Sequence, residues 1–163
     1  MIHAATKAVE QTKELAATIA ALVRPGDIVL LSGDLGAGKT AFVQGFARAL
    51  GIVEHVTSPT FTIARAYEGG RLRLHHLDVY RLDHLQEAED LGLAELVDDD
   101  GVTLIEWGEA VAPVLPADYL AVALAYGDGD DDRLLSFRPI GPRWSARTRA
   151  LTEAVRPWQE LTA

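Results

Sequence analysis

Residues 33–40 read Gly33-Asp34-Leu35-Gly36-Ala37-Gly38-Lys39-Thr40. These types at this spacing fit a phosphate-cradling loop, Gly-x-x-x-x-Gly-Lys-Thr. Glycines carry no Cβ, so backbone N–H groups can turn inward around phosphate oxygens. A helix that starts at Lys39 points the positive end of its dipole at the same oxygens. Lys39 brings a point charge to the β- and γ-phosphates, and Thr40 brings a hydroxyl to Mg²⁺. The competing reading is a glycine-rich turn that matches by accident. The loop follows a buried-strand pattern and opens a helical one, and that context favours the nucleotide reading.

Holding a triphosphate is not hydrolysing it. Hydrolysis also needs a carboxylate for Mg²⁺ and a group that orients water. Ligands of open α/β sheets collect at the carboxyl ends of strands, so acids that end apolar strands are the candidates. Val102-Thr103-Leu104-Ile105 runs into Glu106, and Leu72-Arg73-Leu74-His75-His76-Leu77 runs into Asp78. The first run is the cleaner buried strand, while the second alternates and fits a sheet margin. Either acid can hold Mg²⁺, with the other orienting the attacking water. A solvated strand end is the plain alternative for each, and the nearby phosphate loop tips the balance toward function. His75 and His76 point to opposite faces of a strand, so they do not readily grip one ion, and packing or a surface role is expected. Trp107 follows Glu106 and is expected in the core or beside the site. Guanine-specific loops of this kind use an Asn-Lys-x-Asp element. The chain contains no asparagine, so ATP is favoured by elimination.

The elements that must position these residues are legible as alternating patterns. Thr6 is a candidate N-cap for a helix over residues 7–23, with Val9, Leu15, Ile19, Leu22 and Val23 near helical spacing. Arg24-Pro25-Gly26-Asp27 turns the chain into a buried strand at 28–31. A second helix spans 39–50 and ends at Gly51. Residues 56–67 look extended and 71–79 form a strand, which together suggest an antiparallel hairpin around Glu68-Gly69-Gly70. One or two short helices fall in 83–96. After the strand at 102–105 and a loop marked by Pro113 and Pro116, two strands at 119–126 and 134–140 flank the acidic link 127–132. A last helix covers 145–155. No internal repeat is visible. The expected fold is a single-domain α/β sheet of mixed parallel and antiparallel strands flanked by helices, of the P-loop NTPase kind. Residues 1–144 form the ATPase domain and 145–163 a helical extension of it.

Composition limits the function classes. At 163 residues the chain is one domain that hides roughly 70% of its unfolded surface. No apolar run, that at residues 120–126 included, approaches the ~20 residues of a membrane helix. His3, Lys7 and Glu10 interrupt any apolar leader near the start, so a cytoplasmic protein is expected. The absence of cysteine excludes disulfides, zinc thiolates and thiol catalysis. Twenty-four acidic against fifteen basic residues give a net charge of -9. Autonomous nucleic-acid binding is therefore not expected, because that affinity comes largely from Lys and Arg on phosphates. Docking onto a basic protein surface is compatible with such a charge.

The loop at 33–40 is accompanied by four further blocks: Thr57-Ser58-Pro59-Thr60-Phe61, His76-Leu77-Asp78-Val79-Tyr80-Arg81-Leu82, Leu91-Gly92-Leu93 and Ile105-Glu106-Trp107. In order and spacing they cover about residues 12–140, and the set resembles the TsaE (YjeE) family. The resemblance implies a slow, partner-dependent ATPase of tRNA threonylcarbamoyladenosine biosynthesis. Such a protein works with TsaD and TsaB on adenosine 37 of tRNAs that read codons starting with A. It reaches tRNA only indirectly, through proteins. By matching position, Lys39 holds phosphates and Thr40 binds Mg²⁺. Asp78 and Glu106 are the acids near metal and γ-phosphate. Thr60 lies in a segment that senses the nucleotide, and Thr12 and Arg133 lie near it. For Arg133 an ordinary strand-surface arginine is an equal alternative. The acidic link and the tail from 145 depart from the matched blocks and bear on partner docking.

Two other functions are compatible with the same loop. A small-molecule kinase needs an acceptor pocket and an arginine-bearing lid, for which Arg81 is the main candidate. A non-catalytic switch needs only that bound ATP sets the shape offered to a partner.

Overall fold

The computed structural model describes residues 1–34, 36–57, 64–78, 100–106, 113 and 115–159. The expected helices at 83–96, the extended residues 58–63, Arg81 and Trp107 lie outside them.

Uninterrupted β-branched and leucine runs demand cover on both faces, and they occupy the middle of the sheet. The strands are β1 Ile2–Thr6, β2 Ile28–Gly33, β3 Ala64–Tyr67, β4 Leu74–Asp78, β5 Val102–Glu106, β6 Tyr119–Tyr126 and β7 Arg133–Ile140. They form one seven-stranded sheet in the order β1-β7-β6-β2-β5-β4-β3. The four inner strands β6, β2, β5 and β4 run parallel. The β1–β7, β7–β6 and β3–β4 pairs are antiparallel. The hairpin expected around residues 68–70 is therefore present. β4 is not marginal, however: β3 covers its outer side, and Leu74, His75, His76 and Leu77 are all buried.

Helices α1 Val9–Ala20, α2 Lys39–Ala49, α3 Pro142–Ser145 and α4 Thr148–Gln159 complete the described elements. One face of the sheet shares a core with them. Leu15 and Ile19 of α1, Phe42 and Phe46 of α2 and Leu151 and Val155 of α4 pack with Val29, Leu31, Leu104, Val122 and Phe137. On the opposite face Ile28, Leu30, Leu77 and Ile105 are buried as well, as continuous apolar strands require.

Three boundaries differ from the sequence expectation. Thr6 does not cap a helix but ends β1, a strand that sequence reading missed. The residues Ile-His-Ala-Ala-Thr lack a run of β-branched residues, and pairing with β7 supplies what propensity does not. Helix α1 accordingly starts at Val9 and stops at Ala20, short of the expected 7–23. The single last helix is two, with Pro142 opening α3 and α4 running on through Pro157.

Helices α1 and α2 approach closely at Gly45. A Cβ there would lie 2.5 Å from Lys13 Cα and closer still to its carbonyl oxygen. Backbone cannot yield as a flexible side chain can, so Gly45→Ala is expected to destabilise the fold by about 1–3 kcal/mol. A lower urea midpoint with an unchanged denaturant slope checks this.

Candidate functional site

The end of β2 and the start of α2 place the glycine loop at the carboxyl edge of the parallel strands. Gly33, Gly36 and Gly38 have φ of 149°, 83° and 104°. Gly38 is the N-cap of α2 in the left-handed region and offers no side chain to cap it. The start of α2 therefore lies at the loop, the place where a helix N-terminus can take up an anion.

Lys39 is the first residue of α2 and is 6% exposed. Its Nζ donates to Gly33 O at 2.6 Å and Asp34 O at 3.1 Å. The ammonium is thus folded back along its own loop. Burial pushes its pKa below the ordinary lysine value, while the negative charges of Glu106, Asp78 and Asp34 pull the other way. That opposition places both strand-end acids within electrostatic reach of the loop lysine.

The strand register explains why. Asp78 pairs with Glu106 on neighbouring parallel strands β4 and β5, and Leu31 near the end of β2 also pairs with Glu106. Two carboxylates are therefore set side by side next to the strand that leads into the loop. Glu106 is buried and Asp78 partly so. Such a pair repels unless a cation lies near it. Asp78, Glu106 and the Thr40 hydroxyl offer hard oxygen donors of the kind Mg²⁺ takes. Among the described residues no group of three or more His, Asp or Glu side chains could by itself hold a metal ion.

Arg133 is more than a strand-surface arginine. From the first position of β7 its Nε donates to Ala37 O at 3.2 Å and its Nη2 to Gly36 O at 3.4 Å. Its Nη1 donates to Asp130 O and Asp132 O, both at 2.8 Å. The guanidinium also lies 4.8 Å over the Tyr126 ring. One side chain thus ties the glycine loop to the acidic link. A cleft of about 270 Å³ opens beside it, lined by Thr6, Lys7, Tyr126, Asp128, Asp132 and Leu134 among others. Thr12 is not on that lining. Its hydroxyl is buried against Thr6, Oγ1 to Oγ1 at 2.7 Å, one layer behind the cleft wall.

The structure therefore brings Lys39, Asp34, Asp78 and Glu106 together, joins Arg133 to Gly36 and Ala37, and connects Thr12 only through Thr6. Leu35 and Thr60 lie outside the described residues. One neighbour of the site was missed. His76, expected to pack or face solvent, is wholly buried and lies 2.7 Å from Glu106, Nε2 to Oε2. The signal was available: along a strand, residues two apart share a face, so His76 shares that of Asp78. No helix among the described residues is long and apolar enough to cross a membrane.

Comparison with known proteins bears on the same residues. The family described as "Threonylcarbamoyl adenosine biosynthesis protein TsaE" matches residues 6–134. A Bacillus subtilis protein named tRNA threonylcarbamoyladenosine biosynthesis protein TsaE is 47% identical over 135 residues, covering 83% of this chain and 84% of its own. A Streptomyces coelicolor protein of that name is 42% identical over 139 residues, covering 82% and 93%. Among solved structures, that of Bacillus subtilis YdiB superposes with a TM-score of 0.78 at 38% identity, covering 93% of this chain and 94% of that one.

Proposed function

The chain belongs to the TsaE family of tRNA threonylcarbamoyladenosine biosynthesis, and on that premise we propose that it is a Mg²⁺-dependent ATPase. It supports the TsaD–TsaB complex as that complex modifies adenosine 37 of tRNAs reading codons that start with A. The observation that carries the ATPase reading is the register of Asp78 against Glu106, two acids facing Lys39 at the mouth of the glycine loop.

Each residue then has a task. Lys39 leaves the carbonyls of Gly33 and Asp34 for the phosphate oxygens, exchanging neutral acceptors for charged ones, which bind it more strongly. The N–H groups of the loop and of the first turn of α2 take the remaining phosphate oxygens. Thr40 and one of the two acids hold Mg²⁺, and the other acid orients the attacking water. Bound Mg²⁺ supplies neutralisation of charge on the β- and γ-phosphate oxygens. Arg133 keeps the loop carbonyls of Gly36 and Ala37 turned away from the phosphates, so that N–H groups face them. The cleft beside Arg133 and Tyr126 receives the nucleoside end. Contact with tRNA runs through partner proteins, in keeping with a net charge of -9.

Lys39→Ala removes the charged donor while leaving the loop backbone. ATP affinity, measured by calorimetry in the presence of Mg²⁺, is expected to fall roughly 10- to 100-fold, the worth of a charge-assisted hydrogen bond. Unchanged affinity would show that the loop does not hold the phosphates.

A further inference from the structure

The roles proposed for the loop and the acid pair leave His76 without a task, yet among the described residues it is hydrogen-bonded to Glu106. Its ring is wholly buried, Glu106 is 3% exposed, and Nε2 lies 2.7 Å from Oε2. A carboxylate in such surroundings is held by its hydrogen bonds or not at all. The sheet dictates the meeting. His76 pairs with Leu104 and Asp78 with Glu106, so the imidazole lies one same-face step behind the acid pair. It reaches Glu106 diagonally, from below the mouth of the site.

A carboxylate oxygen accepts, so in the His76–Glu106 hydrogen bond the imidazole Nε2–H is the donor to Oε2. Nδ1 is buried and has no hydrogen-bond partner among the described residues. The imidazole is thus a one-directional donor, locked by packing, whose single hydrogen bond goes to the acid.

We propose that His76 is a positioning residue for ATP hydrolysis: it pins Oε2 of Glu106, so that Oε1 is the oxygen presented to the metal or the attacking water. This rests on the ATPase reading above. A histidine that only fills the core would affect folding stability and leave the chemistry of the folded fraction unchanged. A pin leaves a different signature. Without it the carboxylate samples several rotamers, and the reacting geometry is populated less often. Partners that orient the groups around a metal typically matter 10- to 100-fold.

The test compares the parent chain with His76→Ala and His76→Gln, because the Gln amide places an N–H near the position of the ring Nε2. Turnover at saturating Mg²⁺ and ATP is expected to fall about 10-fold or more in His76→Ala and to recover largely in His76→Gln. ATP affinity without Mg²⁺ should stay within about two-fold in both, since Lys39 and the loop are untouched. A readout independent of turnover is the ring Nε2–H proton resonance of histidine-labelled protein without nucleotide. It should be protected from exchange, absent in His76→Gln and displaced in Glu106→Gln. Parent-like turnover in His76→Ala would overturn the proposal. So would equal losses in both variants that track their melting temperatures, or a His76 resonance indifferent to Glu106→Gln. A parent chain that turns over no ATP, alone or with partners, would instead remove the ATPase reading and this proposal with it.

Discussion

Glu106→Ala is expected to lower ATP turnover by about 100- to 1000-fold, the range seen when a preorganised polar group is removed from a reacting centre. ATP affinity should change only a few-fold. Glu106 ends the buried run Val102–Glu106, pairs in register with Asp78 and lies within electrostatic reach of Lys39. In the proposed assignment, phosphate binding falls to the loop N–H groups and Lys39, none of which the substitution removes, while transition-state charge and water orientation fall to the acids. Loss of turnover with affinity retained is the mark of an interaction made only in the transition state. Single-turnover kinetics alongside calorimetry separates the two quantities. Equal losses in both would move Glu106 into a binding role and leave the chemical step to Asp78.

Asp27→Ala is expected to destabilise the fold by about 3–5 kcal/mol, the cost of leaving one partner of a buried ion pair alone. Asp27 is 2% exposed and accepts from Arg147 through both oxygens, at 2.5 Å and 2.8 Å. It also accepts from Arg24 N at 2.7 Å and pairs with Arg143 at 3.2 Å. Arg147 in turn donates to Leu22 O at 3.0 Å and stacks 4.0 Å from the Trp144 ring. One carboxylate thus fastens α3 and the start of α4 to the turn that opens β2. Removing it strands a buried guanidinium. The melting temperature should fall by roughly 6–20 °C. Asp27→Ala combined with Arg147→Met should lose less than Asp27→Ala alone, because no buried charge then remains unpaired; Arg143, the other partner, is half-exposed. A double variant worse than the single one would contradict this reading of the cluster.

These two positions show what a sequence discloses. Glu106 was legible because the run Val102-Thr103-Leu104-Ile105 leads straight into it and strand ends are where such sheets bind ligands. The alternation of that run with helices also carried the central parallel strands, the glycine loop and α2. Asp27 read only as a turn residue, because its partner lies 120 positions away and no local pattern encodes such a pairing. The same holds for β1, whose short alanine-containing sequence becomes a strand only through β7. It holds too for Arg133, whose grip on Gly36 and Ala37 joins residues more than 90 positions apart across one intervening strand. Periodicity reports which face a residue shares with its near neighbours. Contacts between distant segments arise from strand order, which periodicity leaves open. His76 lies between these cases: its face was readable from Asp78, while its bond to Glu106 depended on β4 lying beside β5.

The decisive measurement is steady-state ATP turnover in Mg²⁺ for the purified chain alone and with purified TsaD and TsaB. Slow hydrolysis that requires Mg²⁺ and rises strongly when both partners are added is expected. Turnover indifferent to the partners, or ADP formed only when a hydroxyl-bearing acceptor is supplied, would contradict the proposed ATPase function.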